Sequence, residues 1–334
     1  MKIRIGIIGC GLIGEKRAES ILSVKESAVL VSCSDLNNEK SRKFSKKFSC
    51  THFDTWRKII DDVHIDLVII ATTHDALAEV AKIALLANKN VLLEKPCGRN
   101  SQEVQDIIDV LSRSSVKLHV GFNHRYHRSI QKAKQIIDSG NLGELMLIRA
   151  RYGHGGRIGY DKEWRADPQL SGGGELMDQG PHIIDLCRWF LGDFEKVDGY
   201  ASTFYWDIPV DDNAFVLLKT KDKKVAFFHV SCTEWKNTFS MEIYGKLGKI
   251  ELTGLGGSYG VERISHYQMS KEMGPPLTEI WEYPMKDNSW DLELEEFIDD
   301  IKVDKLPRSN IYDALECHKI IQKIYQNSNY DYCT

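Results

Sequence analysis

Few features that would place this chain outside the globular class are present. No apolar run approaches the roughly 18–20 residues needed to cross a bilayer, so a membrane span is excluded. The first apolar segment begins at Ile3, which leaves no room for a signal peptide. Eight cysteines are present, and none are in C-x-x-C pairs. Several lie inside apolar runs, which suits reduced, buried thiols in a cytoplasmic protein. There is no H-E-x-x-H and no clustered Cys/His set, so no dedicated metal site is expected. No stripe of Lys and Arg stands out and the net charge is only −4, which argues against a nucleic-acid partner. Internal repeats, low-complexity tracts and long linkers are also missing.

What is present is a 334-residue chain, 42% hydrophobic and 28% charged, enough for two domains with ample core. The most informative stretch is its start. Ile3, Ile5, Ile7 and Ile8 read as a buried parallel strand. The strand runs into Gly9-Cys-Gly11-Leu-Ile-Gly14, and a helical pattern follows through Leu22. In that context G-x-G-x-x-G is a dinucleotide fingerprint. Gly9 permits the tight turn, Gly11 the approach of backbone N–H groups to a pyrophosphate, and Gly14 close helix–strand packing. Leu12 and Ile13 bring their amides to the same helix N-terminus. Asp35, 21 residues past Gly14, ends the second strand, Val29–Ser34. An acid there bonds the adenosine ribose and repels a 2′-phosphate, so NAD(H) is favoured over NADP(H). The alternative is a turn-forming Asp before Asn37. Arg42 and Lys43 are near enough to receive a phosphate, so NADP(H) is not excluded.

Short apolar strands alternate with helical patterns up to about Val120, as in a doubly wound parallel sheet. Helices are expected near Asn37–Phe48, Asp75–Ala87 and Ser101–Leu111, with strands at Asp66–Ala71, Asn90–Leu93 and Lys117–Gly121. The texture then changes. Alternating stretches at Glu144–Tyr152, Ala214–Thr220, Lys224–Cys232, Phe239–Tyr244 and Lys249–Thr253 read as a large, mainly antiparallel open sheet. One helix, about Gly174–Phe190, interrupts it, and a helical region closes the chain from about Leu292 to Tyr325. The fold class is therefore α/β, a Rossmann domain over residues 1–122, followed by an α+β substrate-binding and oligomerisation domain over 123–334.

Three ordered motifs resemble one family. Leu93-Glu94-Lys95-Pro96 follows the fifth strand. Trp164-Arg165 comes next, and then Ser171-Gly-Gly-Gly-Glu-Leu-Met-Asp178-Gln-Gly-Pro-His182-Ile-Ile-Asp185. With the glycine motif, they are similar to the glucose–fructose oxidoreductase and inositol dehydrogenase (Gfo/Idh/MocA) family over essentially the whole chain. The resemblance implies an NAD(P)-dependent oxidoreductase acting on a CH–OH group of a polyol, cyclitol, sugar or nucleotide-activated sugar. It implies association into homodimers or homotetramers through the second sheet. It makes Lys95, Asp178 and His182 the catalytic set, with Thr72, Glu94, Lys95 and Arg165 beside the cofactor. The family's Thr-Pro and nearby His are replaced here by Thr73 and Leu77.

The residues support that chemistry on their own terms. Taking a hydride from an alcohol carbon requires removal of the hydroxyl proton, and a neutral His182 can accept it. Asp178, four residues earlier on one expected helix, shares its face and orients it. Lys95, just past a strand end, stabilises a developing alkoxide. Each has a plainer reading: a solvated loop Lys, a structural His, a first-turn Asp. Asn123, Tyr152 and Arg165 are candidate substrate contacts, with Arg125, Tyr126, His154, Arg157 and Tyr160 near them in sequence. His119, His124 and His127 invite a metal, but their placement on strand and helix start makes a shared ligand geometry a poor fit. Two other classes compete with the dehydrogenase: a non-catalytic NAD(H) sensor or regulator, and a reductase of a non-sugar substrate.

Overall fold

The computed structural model describes residues 2–330. The described residues fall into two compact units. The first runs to Asn123 and takes in Trp290–His318; the second holds His124–Ser289 and the chain from Lys319 on. The chain thus crosses between units three times, where a single boundary at 122/123 crosses once.

In the first unit, β1 (Ile3–Ile8), β2 (Ala28–Ser34), β3 (Thr51–His52), β4 (Leu67–Ile70), β5 (Asn90–Leu93) and β6 (Leu118–Val120) form a sheet of order β3-β2-β1-β4-β5-β6. Every pairing in it is parallel. Between the strands run α1 (Leu12–Ser23), α2 (Asn38–Phe48), α3 (Arg57–Asp61), α4 (His74–Leu86) and α5 (Ser101–Leu111). The central strands are apolar on both faces, and all four residues of β4 are buried, as a sheet covered on two sides requires. The reversal of strand order lies between β1 and β4, the place where open α/β sheets bind ligands.

The return of Trp290–His318 has a packing cause. Leu294, Phe297 and Ile298 are fully buried within the same apolar cluster as Ile5, Ile7 and Ile21. Arg17 of α1 is buried as well, held between Glu94 and Glu293. Taking one partner from such an enclosed group would leave an uncompensated charge, at a cost of about 3–5 kcal/mol.

The second unit holds an eight-stranded sheet of order β14-β13-β12-β11-β7-β10-β9-β8. Its strands are β7 (Leu145–Gly153), β8 (Phe194–Ser202), β9 (Asn213–Thr220), β10 (Val225–Ser231), β11 (Thr238–Gly245), β12 (Gly248–Thr253), β13 (Glu262–Gln268) and β14 (Leu277–Tyr283). The pairings are antiparallel except at the centre, where β7 and β10 run parallel. Helices α6 (Arg128–Asp138), α7 (Pro168–Ser171), α8 (Glu175–Asp178) and α9 (Gly180–Leu191) belong to this unit. Two more, α10 (Ser289–Lys302) and α11 (Ile311–Asn327), complete the chain; α11 begins in the first unit and ends in the second.

The single helix expected over Gly174–Phe190 is two. Pro181 has no N–H to give to Met177, so the helical ladder breaks at Gln179. Asp178 closes one short helix and His182 lies in the first turn of the next, rather than both on one continuous face. The seven described cysteines are free thiols, six of them buried; Cys333 lies outside the described residues.

Candidate active site

The first unit carries the dinucleotide fingerprint in the expected geometry. Gly9 has φ +99°, and a side chain there would stand 2.3 Å from the Ala71 carbonyl oxygen. A Cβ at Gly14 would fall 2.0 Å from the Gly9 oxygen, so α1 could not close on the strand with any other residue. Gly11 is the N-cap of α1 and supplies no side-chain bond to the first turn. The amides that open a 12-residue helix, those of Leu12 and Ile13 among them, are therefore not capped by a side chain there. Such an end suits a pyrophosphate. Leu12 is largely exposed and Ile13 half-buried.

Asp35 stands at the end of β2, and its carboxylate is already at work. Oδ2 accepts from the Cys10 amide and Oδ1 from the Asn37 amide, each at 2.8 Å. It holds the glycine turn and starts the next one, the turn role that its sequence position also offered. Lys43 pairs with Glu39 on the solvent side of α2. Lys40, which the spacing did not single out, brings its ammonium to 3.4 Å from where a Gly11 Cβ would stand.

Thr72 follows β4 beside Gly9 and turns its hydroxyl to the Thr73 carbonyl. Glu94, at the end of β5, is buried and bonded by Arg17. Burial pushes its carboxyl up, while Arg17 opposes the rise. Lys95 follows directly, and its bond to Pro96 is cis. The Pro96 carbonyl meets the buried His318 ring at 2.8 Å; desolvation lowers His318 to about 4. Leu77 is fully buried in α4. Asn123 opens the 3-10 turn Asn123–Tyr126 and is also buried.

The second unit gathers most of the other candidates. Arg165 Nε donates to Asp178 Oδ2 at 2.9 Å, and its guanidinium lies over the Trp164 ring at 4.6 Å. The Asp178 charge raises the Arg165 pKa, against desolvation. His182 and His124 are both buried and stack with ring centroids 3.7 Å apart, 15° from parallel. Tyr152 meets His124 edge-on at 5.3 Å and is itself buried, which pushes its phenol well up. His154 Nε2 lies 3.5 Å from the buried Glu175 Oε2, and its Nδ1 accepts from the Gly156 amide. Neutral His154 therefore carries its proton on Nε2, facing the carboxylate.

The three histidines considered for a metal have separate partners. His119 faces Glu293 at 3.3 Å, His127 Nδ1 meets Glu262 Oε1 at 2.8 Å, and His124 stacks on His182. Among the described residues no group of three or more His, Cys, Asp or Glu could hold a metal. Arg125 is bonded to Asp185 of α9. Tyr126 is buried, and Arg157 pairs with Glu163 at 2.7 Å on the surface.

One device had no mark in the sequence. Asp211, fully buried, accepts from the Gly174 amide at 2.9 Å, the Leu176 amide at 2.8 Å and the Tyr325 hydroxyl at 2.7 Å. A Cβ at Gly174 would collide with the Asp211 backbone at 1.9 Å. Gly174 thus lets the loop at Asp211, just before β9, press against the turn that leads into α8 and Asp178.

An oxidoreductase-family model with an NAD-binding Rossmann fold matches residues 3–122, and a GFO/IDH/MocA C-terminal domain model matches 130–251. Among curated relatives, levoglucosan dehydrogenase of Pseudarthrobacter phenanthrenivorans is 27% identical over 239 residues, 65% of this chain and 58% of the relative. Myo-inositol 2-dehydrogenase of Thermotoga maritima is 26% identical, over 57% of this chain and 55% of its own. Glucose-6-phosphate 3-dehydrogenase of Bacillus subtilis is 32% identical, over 56% and 53%. The chain spans a little over half the length of these three. A solved levoglucosan dehydrogenase in complex with NADH and levoglucosan superposes with a TM-score of 0.90 over 98% of each chain, at 21% identity. At that identity the likeness is one of fold.

Proposed function

This chain belongs to the Gfo/Idh/MocA oxidoreductases, the family with an NAD-binding Rossmann fold, and from that premise we propose an NAD-dependent dehydrogenase of a sugar or cyclitol hydroxyl. NAD(H) is held at Gly9, Gly11 and Gly14, with Asp35 at the adenosine ribose and Thr72, Glu94 and Arg165 along its length. Bound NAD supplies the hydride acceptor. His182, stacked on the His124 ring, takes the hydroxyl proton as the alkoxide forms. Lys95 donates to the same oxygen and offsets its charge. Asp178, fixed by Arg165, orients the reacting group, and Asn123 and Tyr152 bind the remaining hydroxyls. Ketone reduction runs the same groups in reverse, with His182 as the acid. The working form is a homo-oligomer.

Two observations support this reading: in the first unit, a glycine-turn helix end with no side-chain cap, and in the second, a buried His182–His124 stack and an Arg165-bound Asp178. A screen of inositols, free sugars, glycosides and nucleotide sugars for formation of reduced nicotinamide tests it. Turnover of at least one class with NAD is expected. Tight NADH binding with no turnover of any polyol would make the chain a sensor instead.

A further inference from the structure

A series of aromatic rings leads from the candidate site to the surface of the second unit. It starts at His154, beside Glu175, where Asp178 and Arg165 are close enough to act on both His154 and Tyr160. The His154 and Tyr160 rings lie 5.6 Å apart, Tyr160 and Trp206 5.4 Å, Trp206 and Tyr205 5.1 Å, and Tyr205 and Trp235 4.7 Å at 83°. The outer end is open: Tyr205 is 61% exposed and Trp235 64%.

These exposed rings are rigidly supported. The fully buried Asp212 accepts from the amides of Phe204 (2.9 Å), Tyr205 (2.8 Å) and Trp206 (3.1 Å). Trp206 Nε1 donates to the Cys232 carbonyl. Trp235 adopts φ +55°, which is strained for a bulky residue. Its loop is tied by the Glu234 amide to the His154 carbonyl at 3.0 Å. Gly155 and Gly156 pass beneath: a Cβ at Gly156 would stand 2.4 Å from the Trp206 ring, and one at Gly155 2.9 Å from the Trp235 backbone. Tyr205 and Trp235 nevertheless leave well over half of their surface in water, side by side, as a contiguous aromatic patch. Their use is to offer preorganised faces to a ligand.

We propose that Tyr205 and Trp235 form an outer subsite for a second, uncharged sugar ring, so that the substrate is a glycoside or disaccharide. The proposal rests on reading the chain as a sugar dehydrogenase and adds which sugars it takes. A pyranose presents a face of C–H groups, which suits the negative face of an aromatic ring, and a rim of hydroxyls. Next to the rings in sequence stand Asp207, Glu234 and Lys236. The Asp207 carboxylate can accept from sugar hydroxyls, while Glu234 is largely buried and faces Arg151 at 4.0 Å and His229 at 3.7 Å.

Calorimetric titration of the full chain, loaded with NAD, tests this with glucose against cellobiose, maltose and gentiobiose. At least one disaccharide should bind roughly 10-fold more tightly than glucose. Trp235→Ala and Tyr205→Ala should each bring that ratio close to one, while Tyr205→Phe should keep it. Melting curves identify any variant that fails to fold, in which case the other alanine variant decides. A wild type without preference, or a preference that survives both alanine changes, overturns the subsite. So does a fall in oligomer mass on Trp235→Ala without loss of a sugar preference, which would make the patch a self-association surface. The binding readout needs no turnover. An inert protein with the expected ratios keeps the subsite and loses the dehydrogenase reading; an active one without them does the reverse.

Discussion

At the scale of the residue, Asp35 shows how one carboxylate serves two ends. Its oxygens fix the Cys10 and Asn37 amides, so the glycine turn depends on it before any ligand arrives. Asp35→Ala should weaken NAD(H) about 10-fold or more, since bonds from amides to a charged group contribute roughly 1.5–3 kcal/mol each. It should also narrow discrimination against NADP(H), because the charge opposing a 2′-phosphate is gone. Dissociation constants for both cofactors check this. A wild type that prefers NADP(H) tenfold would refute the assignment and make Lys40, the ammonium beside Gly11, the phosphate contact. The glycine turn and the Asp that ends β2 were legible in their spacing, whereas Lys95, Asp178 and His182 were singled out as a set only through the family resemblance. His124 was legible only as a discarded metal ligand. Its stack on His182 joins distant segments, and no local pattern encodes that.

At the scale of the element, the turn before α8 hangs on Asp211. Burial raises this carboxyl to about 6, while its bonds from Tyr325, Leu176 and Gly174 favour the charged form, and Glu175 adds to the rise. A folded pKa above the unfolded value means the native state holds the proton longer. Asp211 therefore makes stability fall as pH rises from about 4 to 6, and adds no slope above that window. In Asp211→Asn this slope should disappear, and the melting temperature at pH 7 should drop through loss of the acceptors. Turnover should fall too, because Asp178 rides on the same turn. Melting curves of both proteins between pH 4 and 7 decide it; an unchanged slope would contradict the claim. Elements with a strong period were readable, including β1, β2, β4, α4 and α5. β8 and β14 were not, because few of their residues are buried and no apolar face alternates along them. β3, with two residues, is too short to carry a period. The final helices were visible as helices, but periodicity shows which face is apolar and not which core receives it, so the return of Leu294 and Phe297 to the first unit went unseen.

At the scale of the whole molecule, the second sheet leaves apolar side chains in water. Tyr200, Phe215, Leu217 and Phe227 are each 45–53% exposed on neighbouring strands, around a concavity of about 730 Å³. Arg149, bonded to Glu242, and Arg151 adjoin them. An apolar centre with charged groups at its margin is the make-up of a self-complementary interface. Light scattering should give a multiple of the chain mass, and Phe215→Glu should reduce it by placing a charge at that centre. A wild-type monomer at micromolar concentration would remove the assembly claim.

The central claim is that His182 moves the proton while hydride passes to NAD, and single-turnover transfer in His182→Ala tests it most directly. With the best substrate of the screen, the burst of reduced nicotinamide should slow by about 10²–10⁴-fold. NADH affinity should stay within about twofold, since the helix-end amides and Asp35 are untouched. A burst of near-normal rate across pH 6–9 would contradict the account and shift the base to Lys95, Tyr126 or His154.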